Sequence, residues 1–337
     1  MPVRQGQSAD HRGCPEVTAV IPTTGRATLA AAVRSALEQT VPLAAVVISV
    51  DGPIGLVRDL PPDPRITVVS ASAYGSGGNA ARAAGLEHVP SGLVALLDDD
   101  DVWDVRKTEV QLERYLAVKG SSDLKVVVAC RVREVDPDGM VRDVAPRRVL
   151  TRGQGVADYL FERTSILRPG GMLNSSMLLF DRELAADVPF DTDLQRHQDW
   201  DWLLRVDTSS AAIFEMVPEV LVDYLVNPSG SSTSSARGWQ NSETWVRRVA
   251  DLLTPRQRGE ILLSVTLPIA LKHNDWLAGG RLLLTALMLK PGWRSVAYGL
   301  AHVPLLLAGR AGAWSAAQAK RRTQKSAVRD RGRLERR

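Results

Sequence analysis

Short aliphatic runs alternate along the first third of the chain with amphipathic stretches. "VTAVIP" (17–22) is β-branched and nearly free of polar positions, which predicts a strand buried on both faces. "ATLAAAVRSALEQ" (27–39) then spaces its apolar residues as a helix does. "LAAVVISV" (43–50) and "RITVVS" (65–70) repeat the strand pattern. "GGNAARAAGLEHV" (77–89) predicts a small-residue helix entered through glycines, and "GLVALL" (92–97) a fourth strand. Strands alternating with helices predict a parallel, doubly wound sheet. Ligands bind such sheets at the carboxyl ends of the strands. Pro22-Thr23-Thr24, Asp51-Gly52 and Asp98 to Asp101 each follow a predicted strand and should converge.

Further on, the pattern predicts a helix over 105–118, strands over 124–135 and 174–180, and a helix opening at 198–206. "AAIFEMV" and "EVLVDYLV" (211–226) resemble a closing hairpin. The fold class expected is therefore α/β: a doubly wound, mostly parallel sheet with helices on both faces. "NPSGSSTSSARG" (227–238) reads as a loop or linker, and only helical patterns follow it. The chain divides into a disordered lead-in (1–16), a sheet domain (17–226), the linker, an all-helical region (239–319) and a basic tail (320–337). The longest uncharged stretch of the helical region, Ser295 to Gly309, is 15 residues and contains Pro304. That is short of the ~20 apolar residues a spanning helix needs. Two readings stay open: an appendage packed on the sheet domain, or a helix lying on a membrane surface with Trp293, Trp314 and the tail as anchors.

Composition adds limits. At 337 residues, 45% of them hydrophobic and 24% charged, the chain can bury a full core. Cys14 and Cys130 fit neither a disulfide scaffold nor a zinc site, and they suit a reducing cytoplasm. The first residues lack the apolar core of a secretory signal. The net charge of +4 is unevenly placed: Lys320 to Arg337 holds nine Lys/Arg against two Asp/Glu, a net +7, which leaves about −3 for the rest. No nucleic-acid partner is expected for so acidic a body. The tail suits an anionic membrane surface or a solvated end.

"LLDDDDVW" (96–103) carries the chemistry. Four carboxylates at the end of an apolar run can be a cation site, a nucleophile or a solvated turn. The phosphatase pattern D-x-D-x-[TV] of the haloacid dehalogenase type is met by Asp98 to Val102, with Asp98 as nucleophile and Asp100 as general acid. That motif normally opens its domain, whereas three predicted strands precede it here. The glycine-rich G-x-G-x-R loop of sugar nucleotidyltransferases and the dinucleotide fingerprint G-x-G-x-x-G are both missing.

Five segments, "VIPTTGR", "SVDG", "GGNAARAAGL", "LLDDDDVWDVRK" and "HQDWDWLLR", occur in one order between residue 17 and about residue 226. Together they resemble the family 2 inverting glycosyltransferases of the GT-A fold. The resemblance implies a nucleoside diphosphate sugar donor, most commonly UDP or dTDP, and a Mn²⁺ or Mg²⁺ ion that neutralises the departing diphosphate. It implies Asp100 as the direct metal ligand, with Asp98 or Asp99 on the ribose or beside the metal, and Asp98 as a second candidate ligand. Asp101 would cap the next helix or hold the loop. Asp51 would read the base, beside Pro22, Thr23 and Arg26. Gly78, Asn79 and Arg82 would border the donor, with Arg82 facing phosphate.

Asp199 matches the acid that deprotonates the acceptor hydroxyl. Gln198 stands where the family has Glu, and Asp201 is the competing carboxylate. His197, Gln198, Trp200 and Trp202 are candidate acceptor-side residues, the two tryptophans serving equally well as core. The acceptor implied is a saccharide or lipid-linked saccharide, in cell-envelope polysaccharide or glycolipid synthesis. The implied place is the cytoplasm or the inner face of the cell membrane. A domain that keeps the fold but only binds nucleotide or carbohydrate is the non-enzymatic alternative.

Overall fold

The computed structural model describes residues 14–71, 75, 77–166, 170–209, 212–226, 238–302 and 304. Most of the lead-in, residues 227–237 of the linker, Trp314 and the basic tail lie outside the described residues. The chain divides into two compact units, residues 1–156 with 172–229, and residues 157–171 with 230–337.

The first unit is built on one sheet. Its strands are β1 (Val17–Thr23), β2 (Ala45–Val50), β3 (Ile66–Ser70), β4 (Leu93–Leu96), β5 (Val102–Trp103), β6 (Lys125–Val135), β7 (Val141–Ala145), β8 (Leu179–Asp181) and β9 (Ala212–Leu225). Their order is β3-β2-β1-β4-β8-β6-β9-β5, with β7 paired to β6. β1 and β4 are buried at every position, as continuous aliphatic runs in a parallel sheet should be. The first four strands are parallel, as the alternating pattern predicts. Beyond β4 the sheet is mixed: β8 runs antiparallel to both β4 and β6, while β9 runs parallel to β6.

The expected hairpin over 211–226 is instead one continuous strand, β9. Its register against β6 shifts between Ala129 and Val132, opposite Pro218. A proline has no N–H for the ladder, and an irregularity absorbs it without turning the strand back. The "NSSMLLF" stretch is a 3₁₀ turn at Ser175–Met177 followed by the short β8.

Six helices begin in this unit: α1 (Leu29–Leu37), α2 (Gly78–Leu86), α3 (Lys107–Lys119), α4 (Val156–Phe161), α5 (Arg182–Asp187) and α6 (Gln198–Ser209). α1 buries Leu29, Ala32, Val33 and Ala36, one face at helical spacing. α2 lies close on the sheet because Gly85 has no side chain. A Cβ there would stand 2.6 Å from Val20 Cγ1.

The second unit takes α4 from Ala157 onward and then α7 (Trp239–Arg248), α8 (Pro255–Ile261), α9 (Leu267–Lys272), α10 (Trp276–Met288) and α11 (Trp293–Ala301). Residues 157–171, placed by the linear reading inside the sheet domain, therefore belong with these helices. Thr254 and Gln257 form a capping box at the start of α8. A π-turn at Leu262–Thr266 joins α8 to α9. Pro268 follows it, and its missing N–H accounts for the break in the regular ladder. Trp245 is buried, with Phe161 edge-on at 6.4 Å, and Ile261, Leu263 and Leu267 are fully buried. No helix among the described residues is long and apolar enough to cross a membrane.

Candidate active site

Parallel register sets three strand ends side by side. Thr23, the last residue of β1, pairs with Val50, the last of β2, and the amide of Asp51 donates to the Thr23 carbonyl at 2.8 Å. On the other side of β1, the amide of Leu97 donates to the Val20 carbonyl at 3.1 Å, so the aspartates begin where β4 leaves the sheet. The amide of Asp101 donates to the Asp98 carbonyl at 3.2 Å, closing the acidic run into a turn. Thr23 Oγ1 donates to Asp99 Oδ2 at 2.6 Å and accepts from the Gly25 amide at 2.9 Å. Arg26 Nη1 pairs with Asp100 and lies 3.5 Å from Asp99 Oδ1.

Arg82 is the hub of the other side. The side chain is 5% exposed. Its Nη2 donates to Asp98 Oδ1 at 2.7 Å, and its Nη1 donates to Gln198 Oε1 at 3.1 Å and to Asn79 Oδ1 at 3.3 Å. Asp199 Oδ1 lies 3.8 Å from the same Nη1. Asn79 anchors α2 by donating to the Asp191 carbonyl at 2.8 Å. Asp199, in the first turn of α6, accepts from Ser175 Oγ at 2.6 Å and from the Ser175 amide at 3.3 Å. Gln198 Nε2 donates to the Leu194 carbonyl at 2.6 Å, and its amide packs over Gly78.

Four carboxylates, Asp98 to Asp100 and Asp199, thus gather around two guanidinium groups, with the Asp101 charge close to those of Asp98 and Asp100. Burial, opposed by Thr23 and Arg26, lifts Asp99 to about 6. Burial and the Asp98 charge raise Asp100. Burial raises Asp199 against the pull of Arg82, with Asp98 pushing the same way as burial. Burial works against the Arg82 charge, yet Asp98 and Asp199 hold its pKa above the ordinary value. Such an excess of anionic oxygen is the donor chemistry a hard divalent cation needs. Among the described residues no three acidic, histidine or cysteine side chains are arranged to hold a metal alone. Asp98 and Asp100 could supply only part of a cation's ligand set.

The other expected residues are fixed by contacts within the fold. Both oxygens of Asp51 accept backbone bonds from the glycine loop, from Gly75 at 2.6 Å and Gly77 at 3.0 Å. Gly77 has φ +92°, open to glycine at little cost, and it turns the chain into α2. Asp101 does not cap α3. It accepts from Ser176 Oγ at 2.5 Å and from the Leu225 amide at 3.1 Å, so it ties the acidic turn to β9. Burial, followed by the Asp98 charge, raises its pKa well above the ordinary value. Pro22 is buried within β1, opposite Ser49.

Trp202 offers no face to a sugar. It is fully buried, stacks on Phe190 at 4.8 Å and donates its Nε1 to the Val188 carbonyl at 2.8 Å. Trp200 is half-buried and stacks on His197 at 4.8 Å. His197 itself takes a left-handed φ of +59° just before α6, and burial lowers its pKa to about 3, so it is a neutral ring. Asp201 accepts from Arg205 Nε at 2.8 Å, one turn along α6.

Three site residues escape the sequence reading. Ser175 and Ser176 sit in a stretch that reads as a strand, and only two small polar residues inside an apolar run hint at them. Tyr224 lies among the acids: burial, then Asp101, Asp98, Asp100 and Asp199, hold its phenol above the ordinary value.

Residues 18–141 match the family model described as glycosyl transferase family 2. The match includes Asp51, Arg82 and Asp98 to Asp101 and ends before Ser175 and Asp199. A relative, the amylovoran biosynthesis glycosyltransferase AmsB of Erwinia amylovora, is 27% identical over 179 residues, which are 53% of this chain and 57% of that relative. The alignment thus spans little more than half of the relative's length. Among solved structures, S. aureus TarS is 13% identical with a TM-score of 0.49, covering 88% of this chain and 53% of that one. The TarS fragment 1–349 in complex with UDP-GlcNAc has the same identity and TM-score and covers 88% of this chain and 87% of the fragment.

Proposed function

We propose that the chain is an inverting glycosyltransferase that moves a sugar from a nucleoside diphosphate donor to a hydroxyl acceptor. The observation that carries this reading is the Arg82 hub. A single buried guanidinium joins the acidic strand end at Asp98 to the carboxylate of Asp199 at the start of α6. The two ends of such a reaction, a leaving diphosphate and an acceptor proton, need an electrophilic centre and a base at short range. Asp199 is the base: its raised pKa makes it a better proton acceptor than an ordinary carboxylate, and Ser175 fixes its orientation. Arg82 binds the diphosphate while steadying both carboxylates.

A divalent ion, Mn²⁺ or Mg²⁺, would be held by Asp98 and Asp100 and would neutralise charge on the leaving diphosphate. The Arg26–Asp100 pair is about a third exposed, so it costs little to reorganise when donor and ion arrive. Thr23, Arg26 and Asp99 lie on the base and ribose side. Asp51 acts there chiefly by shaping the glycine loop. Trp200, His197 and Gln198 line the acceptor side, and the acceptor is a saccharide or lipid-linked saccharide of the cell envelope. UDP and dTDP sugars are the first donors to test.

Calorimetric titration of UDP, dTDP and GDP sugars, with and without Mn²⁺, tests the donor half. At least one sugar nucleotide should bind with affinity that Mn²⁺ strengthens, and Asp100→Asn should remove the Mn²⁺ dependence. No binding by any donor, or unchanged Mn²⁺ dependence in the variant, would refute it.

A further inference from the structure

α10 carries an exposed aliphatic row that its own unit leaves uncovered. Leu277, Leu284 and Met288 are 76%, 66% and 76% exposed. Spacings of seven and four residues place all three on one side of the helix. The opposite side is accounted for, since Ala278, Leu282, Leu283 and Ala286 are buried. α11 repeats the feature over a seven-residue interval, with Trp293 63% and Leu300 46% exposed. Single exposed apolar residues need no explanation, but five large ones on two successive helices do.

Basic groups accompany these side chains, with Asp275, Glu243 and Glu260 held in hydrogen bonds or ion pairs nearby. From Trp276 to Ala301 the sequence holds Arg281, Lys290 and Arg294 and no Asp or Glu, while Asp275 caps the start of α10. Lys290, between the two helices, and Arg294, in α11, are exposed between Met288 and Leu300, and the Arg294 guanidinium lies 4.7 Å from the Trp293 ring centroid. Arg281 is the exception, being held by Glu243 at 2.6 Å. Aliphatic side chains and an exposed tryptophan beside basic groups match the layered chemistry of an anionic bilayer surface, apolar below and negative above. A protein partner would more often bring interleaved charges of both signs.

We propose that the α10–α11 face of the helical unit binds the surface of an anionic phospholipid bilayer without crossing it. The face is independent of the residues assigned to sugar transfer, so the proposal stands or falls apart from the catalytic reading.

Co-sedimentation of the full chain with vesicles decides it, comparing phosphatidylcholine mixed with phosphatidylglycerol against phosphatidylcholine alone. The full chain should pellet with the anionic vesicles only. The combined variant Leu277→Ser, Leu284→Ser, Met288→Ser should lower the bound-to-free ratio by about tenfold or more, because it removes insertion while leaving charge untouched. Lys290→Gln with Arg294→Gln should weaken binding chiefly at low salt, since raising ionic strength from about 0.1 M to about 1 M shortens the screening length from about 10 Å to about 3 Å. All three residues of the serine variant are exposed, and an unchanged thermal melt will show that it still folds. Equal recovery of native and serine forms in either fraction would overturn the proposal. So would sedimentation velocity showing that the native chain, but not the serine variant, dimerises in the absence of lipid.

Discussion

Replacing Arg82 by Gln tests the electrostatic core of the site. Its Nη1 lies 3.8 Å from Asp199 Oδ1. Two unit charges ~4 Å apart interact by ~4 kcal/mol at an effective dielectric of ~20. That attraction stabilises the charged carboxylate and pulls the Asp199 pKa down against burial. The Asp199 side chain is 22% exposed, and water entering the vacated space replaces part of that stabilisation. Asp199 already sits above an ordinary carboxylate through burial, and losing Arg82 also leaves the Asp98 charge uncompensated beside it. Both changes act in the same direction. A base works only when deprotonated, so kcat rises with pH through this pKa, and the acid limb in Arg82→Gln should move to higher pH. The assay is nucleoside diphosphate release at saturating donor across the pH range, on protein whose thermal melt shows that it is folded. An acid limb at the same pH, with a loss of rate equal at every pH, would refute the claim that Arg82 tunes Asp199.

Two further outcomes follow from burial. Trp202→Ala should cost about 3–5 kcal/mol in denaturant unfolding, because the ring is fully enclosed, while Trp200→Ala should leave stability nearly unchanged and raise the acceptor KM; the reverse pattern would exchange their roles. Lys107 is fully buried, donates to Gln111 Oε1 at 2.6 Å and stands 4.2 Å from the Trp103 ring centroid, and burial lowers its pKa from 10.5 to about 8. Between those values the unfolded chain binds the extra proton, so native stability should rise by about 3 kcal/mol from about pH 8 to about pH 10.5. Lys107→Met should flatten that rise, and an unchanged pH slope in the variant would show that Lys107 is not its source.

The parallel half of the sheet is legible in the sequence because both of its faces are buried and its strands are therefore plain aliphatic runs. Parallel register then brings the strand ends together, which is why Thr23, Asp51 and the acidic turn are found as neighbours. The mixed half is less legible. β9 continues through Pro218 because β6 tolerates a register shift there, a tertiary accommodation that local turn chemistry cannot reveal. Ser175 meets Asp199, and Arg82 meets Gln198, across 24 and 116 residues, and no local pattern marks those contacts. Trp200 and Trp202 look alike in sequence. Only the depth of the α6 face to which each belongs separates core from surface. Asp101 is the subtler case: of the two roles its position allows, helix cap or loop anchor, it takes the second, holding the acidic run to Ser176 and β9.

The central claim is inverting sugar transfer with Asp199 as the base, and the anomeric configuration of the first-formed product tests it most directly. Proton NMR should be followed from the moment enzyme, Mn²⁺ and a bound sugar nucleotide are mixed with acceptor, or with water alone. The account predicts a product of configuration opposite to the donor, formed ~10²–10⁴-fold more slowly by Asp199→Asn, with donor affinity retained and with Asp201→Asn still active. Retention of configuration, or a full rate from Asp199→Asn, would contradict it.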